Sequence, residues 1–417
     1  MDAKRIAIIG GGISGLTILH YLKLRCGESA DITLFERESS AGGTIRSLKE
    51  DSCLFEWGPN GFLSNQPATL QLIEEVGLTG QTIEAKSYSR GRFVQIQDKL
   101  HALPLNPLEL IRTPLLSLKD KWSLVAGVFR KGISTDLSIH DYVSRRFSPR
   151  VADNFVDPFI RGVYAGDIKR LHMASAFPKL KRKGRRRSRV LSFEGGMGQL
   201  ISALEQRYKK YIRTDCAVSS VPPNTDVTII AAPAYAAAQI VDSINPSLAR
   251  LLDRVPYAPV AVTGLLFDED SFKRKPEGFG YLIPSAENKE VLGVLNESNV
   301  FDKRCPQGKV MVRVMSGGMH HPGIINDDRD TIIGKAIKEI DGVYGLKTRP
   351  LAAFVKLWPK AIPQYDMNYP GLRRSLAEEC AKTPGLYLCA NYLDGVSLND
   401  CVYNSKSLAA IVNVQNG

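Results

Sequence analysis

What the chain lacks narrows its chemistry first. Cysteine is sparse, seven in 417 residues (Cys26, Cys53, Cys216, Cys305, Cys380, Cys389, Cys401), scattered and odd in number. No two form a C-x-x-C pair, which argues against a disulfide framework or a thiolate zinc site and suits a reducing interior. The six histidines form no H-E-x-x-H, and the neighbouring His320 and His321 would face opposite ways on a strand, so no metal site is expected. No apolar run is long enough to span a bilayer. "MDAKR" passes straight into a short apolar stretch that stops at glycines, so no signal peptide is expected. Acidic residues are in deficit, 43 against 55 basic, leaving a net charge of +12. Eight of the basic residues crowd into "KLKRKGRRRSR", Lys179 to Arg189, which holds no acid. No nucleic-acid-binding module accompanies that run, so a nucleic-acid partner is not expected.

What is present begins at "IAIIGGGISGL", where Gly10, Gly12 and Gly15 read G-x-G-x-x-G. The pattern alone is weak, and its surroundings decide. Lys4 to Ile9 reads as a short buried strand, Ser14 to Arg25 as an apolar helix ended by Gly27, and Asp31 to Arg37 as a second strand with Glu36 at its end. Strand, glycine turn, helix, strand and terminal acid make a dinucleotide-binding unit. Gly10 allows the tight turn, Gly12 lets the backbone approach a pyrophosphate, and Gly15 lets the helix pack closely on the strand. Ile13 and Ser14 open the helix, whose free N–H groups would meet the phosphates. Glu36, 21 residues after Gly15, would accept ribose hydroxyls, with Arg37 beside it.

After Glu36 comes "RESSAGGTIRS", an E-x₅-G-G-x₂-R/S pattern containing Gly43 and Thr44, and then "FEWGPNGF" with Gly58, Pro59 and Asn60. That arrangement resembles flavoprotein oxidases of the amine-oxidase type. No second G-x-G-x-x-G follows, so FAD is expected as the only nucleotide, reduced by the substrate itself. The chain is expected to leave this unit near residue 75 and return twice, through "LSFEGGMGQLISALEQRY" and "TDVTIIAAPA", and last through "GLYLCANYLDGVSLNDCVYNSKSLAAIV". Ser87 to Lys179 reads as largely helical, and Pro256 to Pro350 as richer in β-branched residues.

"PFIRGVYAGDIKRL" (Pro158 to Leu171), with "SFEGGMGQL", "GFGYLIPSAENKEVLGVL", "AIPQY" and "LYLCANYLDGVSLNDCV", resembles the oxygen-dependent protoporphyrinogen oxidases, FAD enzymes of haem synthesis. That family includes relatives that oxidise coproporphyrinogen III. The resemblance runs in order along essentially the whole chain. It implies a mixed α/β and α+β fold with a Rossmann-like FAD domain from discontinuous segments (1–75, 190–255 and 351–417). A β-rich substrate domain (76–86 and 256–350) and a mostly helical, membrane-associated region (87–189) complete it. The activity implied is oxidation of protoporphyrinogen IX to protoporphyrin IX, six electrons in all, with molecular oxygen or another acceptor. Alternatives are coproporphyrinogen III oxidation, another flavin oxidase of the superfamily, or a catalytically silent flavin-binding membrane protein.

Roles carry over by position. Arg92 would hold a porphyrinogen propionate, Gly162 and Tyr164 would line the pocket beside the flavin, and Leu282 and Leu295 would sandwich the tetrapyrrole. Met315 stands where an aromatic pocket residue is common. Val218 would contact adenine through its backbone, and Trp358, Asn391, Gly395 and Val396 belong to the last flavin-binding segments. No catalytic side chain is implied: the flavin carries the hard step, and the protein supplies orientation, a dry slot and carboxylate anchors. Arg161, where a small residue is common, would either add a cation for a carboxylate or face water. Only "SSVPPN" stands where the family usually has a β-excursion, so that hairpin should be missing or minimal. The basic run reads either as a solvated loop or, with the leucines, Trp122 and lysines of Leu103 to Phe129, as a contact with an anionic membrane surface. The expected location is the cytoplasmic side of the membrane, peripherally held, or the cytoplasm.

Overall fold

The structure, a computed structural model, describes residues 3–50, 52–86, 91–104, 106–177 and 188–413. Its first layer is a five-stranded parallel sheet in the order Ile212–Arg213, Ala30–Phe35, Lys4–Ile9, Val227–Ile230, Leu386–Leu388. The runs "IAII" and "VTII", buried throughout and broken only by Thr228, suit strands covered on both faces. The helices Ile13–Cys26 and Leu398–Ile411 pack on one face through Leu16, Leu19, Cys401 and Val402. Ala234–Val241, Pro246–Asp253 and Tyr369–Ala381 cover the other through Ala237, Leu248 and Leu376. Strand order reverses between Lys4–Ile9 and Val227–Ile230, so the crevice beyond their carboxyl ends is where such sheets take a ligand. Of the returns expected from sequence, "TDVTIIAAPA" and the last segment join this sheet, whereas the strand of "LSFEGGMGQLISALEQRY", Val190–Phe193, pairs with Phe62–Leu63 and Thr82–Glu84 in a separate sheet. No strand lies between Ile212–Arg213 and Val227–Ile230, as "SSVPPN" suggested.

The second sheet has seven strands, ordered Ala352–Pro363, Tyr257–Asp268, Lys309–Gly317, Val291–Leu295, Gly280–Leu282, Arg92–Ile96, Lys99–Ala102. One face packs on the helix Arg329–Tyr344 through Phe267, Val312, Val314 and Ile340. Three strands fall outside the stretch where β-structure was expected. The hairpin 92–102 lies in the segment read as helical, and its alternation, with Phe93 packed inward, extends the sheet instead. Ala352–Pro363 pairs with Tyr257–Asp268 and so joins this sheet rather than the parallel one.

The helices Pro107–Arg112, Leu118–Phe129, Ile139–Arg146 and Asp157–Tyr164 gather with Tyr365 and Tyr369 around Ile139, Ile160 and Leu171. Among the described residues no helix is long and apolar enough to cross a membrane. Most of the basic run, residues 178–187, lies outside the described residues.

Candidate flavin and substrate site

The glycine turn has the shape its spacing calls for. Gly10 has φ +108°, and a Cβ there would stand 3.0 Å from the Ala231 backbone. A Cβ on Gly15 would stand 1.9 Å from the Gly10 carbonyl oxygen, so no other residue allows this helix so close to its strand. A Cβ on Gly12 would meet nothing within 4 Å, which leaves open space before the N-terminus of the helix that Ile13 and Ser14 begin. No side chain caps that terminus, so its first N–H groups are available to an anion.

Glu36 is buried and already accepts two backbone N–H groups, from Gly11 to Oε2 at 2.7 Å and from Glu38 to Oε1 at 2.9 Å. A carboxylate offers about four acceptor sites, so capacity for ribose hydroxyls remains. Arg37 lies exposed, paired with Glu38 at 3.1 Å. The Glu36 carbonyl accepts the Cys216 N–H at 2.9 Å, which brings the loop bearing Val218 to the same strand end.

The other cofactor-binding candidates close around this crevice. Gly12 bridges Gly42, and a Cβ on Gly43 (φ +59°) would lie 3.5 Å from the Gly12 Cα. A Cβ on Gly58 would stand 2.0 Å from the Thr44 carbonyl oxygen, so the Gly43–Thr44 turn and the Gly58–Asn60 segment are in direct contact. Trp358 Nε1 donates to the Trp57 carbonyl at 3.0 Å. The Gly395 N–H donates to the Tyr365 hydroxyl at 2.9 Å, and that hydroxyl donates to the Asn391 carbonyl. Val396 packs against the apolar cluster that includes Tyr365. Asn60 is buried, yet neither atom of its side-chain amide has a partner. An amide with donor and acceptor both unmet, beside a glycine cradle and a free helix terminus, fits a dinucleotide with a polar ring edge.

The substrate candidates meet on the second sheet. Register pairs Arg92 with Gly280, Gly280 with Leu295, Leu282 with Gly293, Gly293 with Met315, and Met315 with Val262. Residues opposite one another share a face. Arg92, Leu282, Leu295 and Met315 therefore lie on the face turned away from the helix Arg329–Tyr344, together with Trp358, which is paired to Val260. Arg92 is exposed, its guanidinium stacked 4.8 Å over the Phe279 ring, and among the described residues no carboxylate lies within ion-pair distance of it. A Cβ on Gly162 would stand 2.7 Å from Leu282 Cδ2, so the helix Asp157–Tyr164 abuts this face at that glycine. Tyr164 is turned inward: its hydroxyl donates to the Ala176 carbonyl at 2.8 Å, and burial pushes its ionisation above the ordinary range.

Arg161 does neither of the things expected of it. It is 1% exposed, and its guanidinium donates to the Ile283 carbonyl at 2.9 Å and the Lys289 carbonyl at 3.0 Å. It braces the loop after Leu282 and is out of reach of solvent.

Sequence reasoning passed over several residues of the site's frame. Gln364, whose Nε2 donates to the Tyr164 carbonyl at 2.8 Å, and Tyr365 stand in "AIPQY", where no local pattern signals their contacts. Arg313, buried on the Leu295 face, stands within the apolar run Val310–Met315 of the strand "KVMVRVMSG", where a lone guanidinium is itself a signal.

Residues 13–413 match the model of the flavin containing amine oxidoreductases. The protoporphyrinogen oxidase of Nicotiana tabacum mitochondria is 26% identical, over 99% of this chain and 95% of that one. The coproporphyrinogen III oxidase of Bacillus subtilis is 24% identical, over 97% of both chains. A crystal structure from Exiguobacterium sp. 255-15, provisionally named protoporphyrinogen oxidase, superposes with a TM-score of 0.85 over 98% of both chains at 20% identity. With a glycine cradle that fits FAD, and with the match covering nearly its whole length, the chain belongs to the flavin containing amine oxidoreductase family and is an FAD-dependent oxidoreductase.

Proposed function

We propose that the protein oxidises protoporphyrinogen IX to protoporphyrin IX. The observation that carries this is the shared sheet face, with Arg92 at one side, the apolar Leu282, Leu295 and Met315 in the middle, and Trp358 tied to the segment that precedes Gly58. A flat, apolar ring with carboxylates at its rim matches a flat apolar face with a cation at its edge. Each of three rounds removes a hydride from a meso carbon and a proton from a pyrrole nitrogen, six electrons in total. Bound FAD supplies the hydride acceptor, and dioxygen would take each electron pair and two protons to leave as hydrogen peroxide. The side chains named here orient the ring and exclude water; none is asked to act as acid or base.

A second substrate, coproporphyrinogen III, is favoured by the equal coverage of the Bacillus relative and by Lys356, which pairs with Val262 and so shares the Arg92 face. Arg161, braced against backbone carbonyls, lends it no support. Anaerobic bleaching of the flavin by each porphyrinogen, followed side by side, tests the proposal. Faster bleaching by protoporphyrinogen is expected, faster bleaching by coproporphyrinogen selects the second substrate, and no bleaching by either refutes both.

We also propose a peripheral contact with an anionic membrane, at its cytoplasmic side. Leu118, Trp122, Val125 and Phe129 recur at helical spacing and are exposed, as are Leu108 and Ile111 on the preceding helix. Such a stripe supplies the apolar half of a two-part anchor, and the basic run Lys179–Arg189 would supply the charged half. Co-sedimentation with acidic vesicles should fall when Trp122 and Phe129 are both replaced by Ser, and equal binding would refute the contact.

A further inference from the structure

Behind the Glu56–Asn60 segment lies a buried group of four charges that no catalytic step uses. Glu56, Glu297, Arg304 and Arg313 are each between 1% and 5% exposed. Arg313 Nη1 donates to the Glu56 carbonyl at 3.0 Å and to the Gly58 carbonyl at 2.8 Å, while its Nε stands 2.8 Å from Glu297 Oε1. Arg304 donates to Ser192 Oγ at 2.7 Å, and Ser192 passes a hydrogen bond on to the Asn60 carbonyl at 3.0 Å. Trp358 holds the Trp57 carbonyl. The carbonyls of Glu56, Trp57, Gly58 and Asn60 are thus each bonded to a side chain, and the Asn60 amide is left as the segment's unpartnered polar group.

This is costly architecture for a turn. Taking four charges out of water is repaid only where the geometry is good and the remaining sites are satisfied, and apolar residues would often serve stability as well. An ordinary turn needs none of it. Arg313 also stands across from Leu295 on the substrate face, so one side chain touches the sheet that would carry the substrate and the segment expected to border the flavin.

We propose that this buried group, with Arg313 at its centre, is a positioning element that fixes the Glu56–Asn60 segment for bound FAD and sets the reduction potential of the flavin by its net charge. The inference rests on FAD occupying the glycine cradle and is independent of which porphyrinogen is the substrate.

The charge is variable because burial pushes the Glu56 carboxyl up to about 7, against hydrogen bonds from Met197 N–H at 2.8 Å and Ser47 Oγ at 2.7 Å that hold it down. The charged groups facing it are Arg304 at 3.6 Å and, beyond, Glu297 and Arg313; from the turn that begins the helix Gly198–Arg207 only the backbone N–H faces it. Two guanidinium groups oppose two carboxylates, so protonation of Glu56 moves the group from neutral to +1. A positive charge near the ring favours the more negative reduced flavin, so the potential should rise as Glu56 takes its proton.

The test is the midpoint potential of the bound FAD, measured from pH 5.5 to 8.5 on the holoenzyme, with FAD affinity and the melting temperature of the FAD-free protein alongside. Wild type should show an added bend near pH 7. Glu56→Gln, fixed at +1, should lose the bend and hold a higher potential than wild type at pH 8. Arg313→Lys keeps the charge but cannot hold two carbonyls and a carboxylate in one plane, so FAD affinity should fall roughly tenfold, the scale of one charged hydrogen bond, and the FAD-free protein, left with buried groups lacking partners, should melt somewhat lower. A Glu56→Gln potential profile that superimposes on wild type, or wild-type FAD affinity in Arg313→Lys, overturns the proposal. If Glu56→Gln does not fold, the bend in the wild-type profile and the Arg313→Lys affinity still decide it. Failure of FAD to bind wild type would instead overturn the cofactor assignment beneath it.

Discussion

Removing the Glu36 carboxylate separates two jobs that one side chain performs. In the folded chain it accepts the Gly11 and Glu38 N–H groups at 2.7 and 2.9 Å in a buried position, and it has acceptor capacity left for ribose. Glu36→Ala leaves the buried Gly11 N–H without its partner, at about 1–3 kcal/mol, while the part-buried Glu38 N–H can turn to water, so the FAD-free protein should lose about 1–3 kcal/mol. The ribose bonds are lost in addition. One charge-assisted bond of about 1.5–3 kcal/mol corresponds to a weakening of FAD binding by roughly 10- to 150-fold. Glu36→Gln separates the terms, since the amide keeps one acceptor oxygen but turns an NH₂ toward a backbone N–H. It should therefore bind FAD more weakly than wild type and more tightly than Glu36→Ala. The assay is equilibrium titration of the apoprotein with FAD, read by quenching of flavin fluorescence, beside thermal melts with and without the cofactor. Unchanged FAD affinity in both variants, with only the apoprotein melt lowered, would refute the ribose role and leave Glu36 as an anchor of the glycine turn alone.

Three further outcomes are expected. Arg92→Ala should raise KM for the porphyrinogen about tenfold or more with the flavin spectrum unchanged, and Arg92→Lys should restore only part, because an ammonium cannot make the paired bonds of a guanidinium; steady-state kinetics reads both. Gly58→Ala forces a Cβ to within 2.0 Å of the Thr44 carbonyl, so the purified variant should lose most of its yellow colour while retaining a helical circular dichroism spectrum. Folded Glu56 keeps its proton to about 7, against an ordinary value of 4.5, so the folded chain binds more protons than the unfolded one between those limits. Stability should therefore fall as pH rises through that window and be flatter in Glu56→Gln, as read by denaturant midpoints.

The first βαβ unit was legible in the sequence because its constraints are local. The run Lys4–Ile9 became the strand Lys4–Ile9, and the helix expected over Ser14–Arg25 spans Ile13–Cys26. The contacts that demand Gly10 and Gly15 involve the same short segment and its neighbour strand. The hairpin 92–102 pairs within itself, but a segment dense in prolines and short helices surrounds it, and the strand that ties it into the sheet, Gly280–Leu282, is nearly two hundred residues away. No window of sequence holds both halves of that pairing. Arg161 was misjudged for a related reason. The carbonyls it satisfies, those of Ile283 and Lys289, lie more than a hundred residues on, and a buried guanidinium looks like a surface one until its acceptors are known.

The string "AIPQY" shows what a recognisable motif contains once its contacts are known. The Gln364 N–H donates to the Pro256 carbonyl at 2.8 Å, and its side-chain amide donates to the Tyr164 carbonyl. It thereby fixes the end of the helix that bears Gly162, where Ala165 takes a left-handed conformation at φ +49°. One residue on, the Tyr365 hydroxyl accepts from Gly395 and donates to Asn391, and its ring stacks on Tyr369 with centroids 4.3 Å apart. The turn it holds admits only glycine, since at φ +124° a Cβ on Gly395 would stand 2.5 Å from Asp400 Cγ. Glutamine there needs an N–H donor long enough to reach a carbonyl, and tyrosine needs one atom able both to give and to accept. Phenylalanine or glutamate would fill either space without meeting both demands. Two adjacent residues just past the edge strand of the substrate sheet therefore tie down the helix end beside Leu282 and the last turn of the cofactor crevice. Porphyrinogen oxidation needs the ring's meso carbon held at hydride distance from a flavin bound by a different sheet, and a geometric error of an ångström between the two would cost rate steeply. A rigid link between the two sheets, through Gln364 and Tyr365, meets that demand without either residue touching substrate.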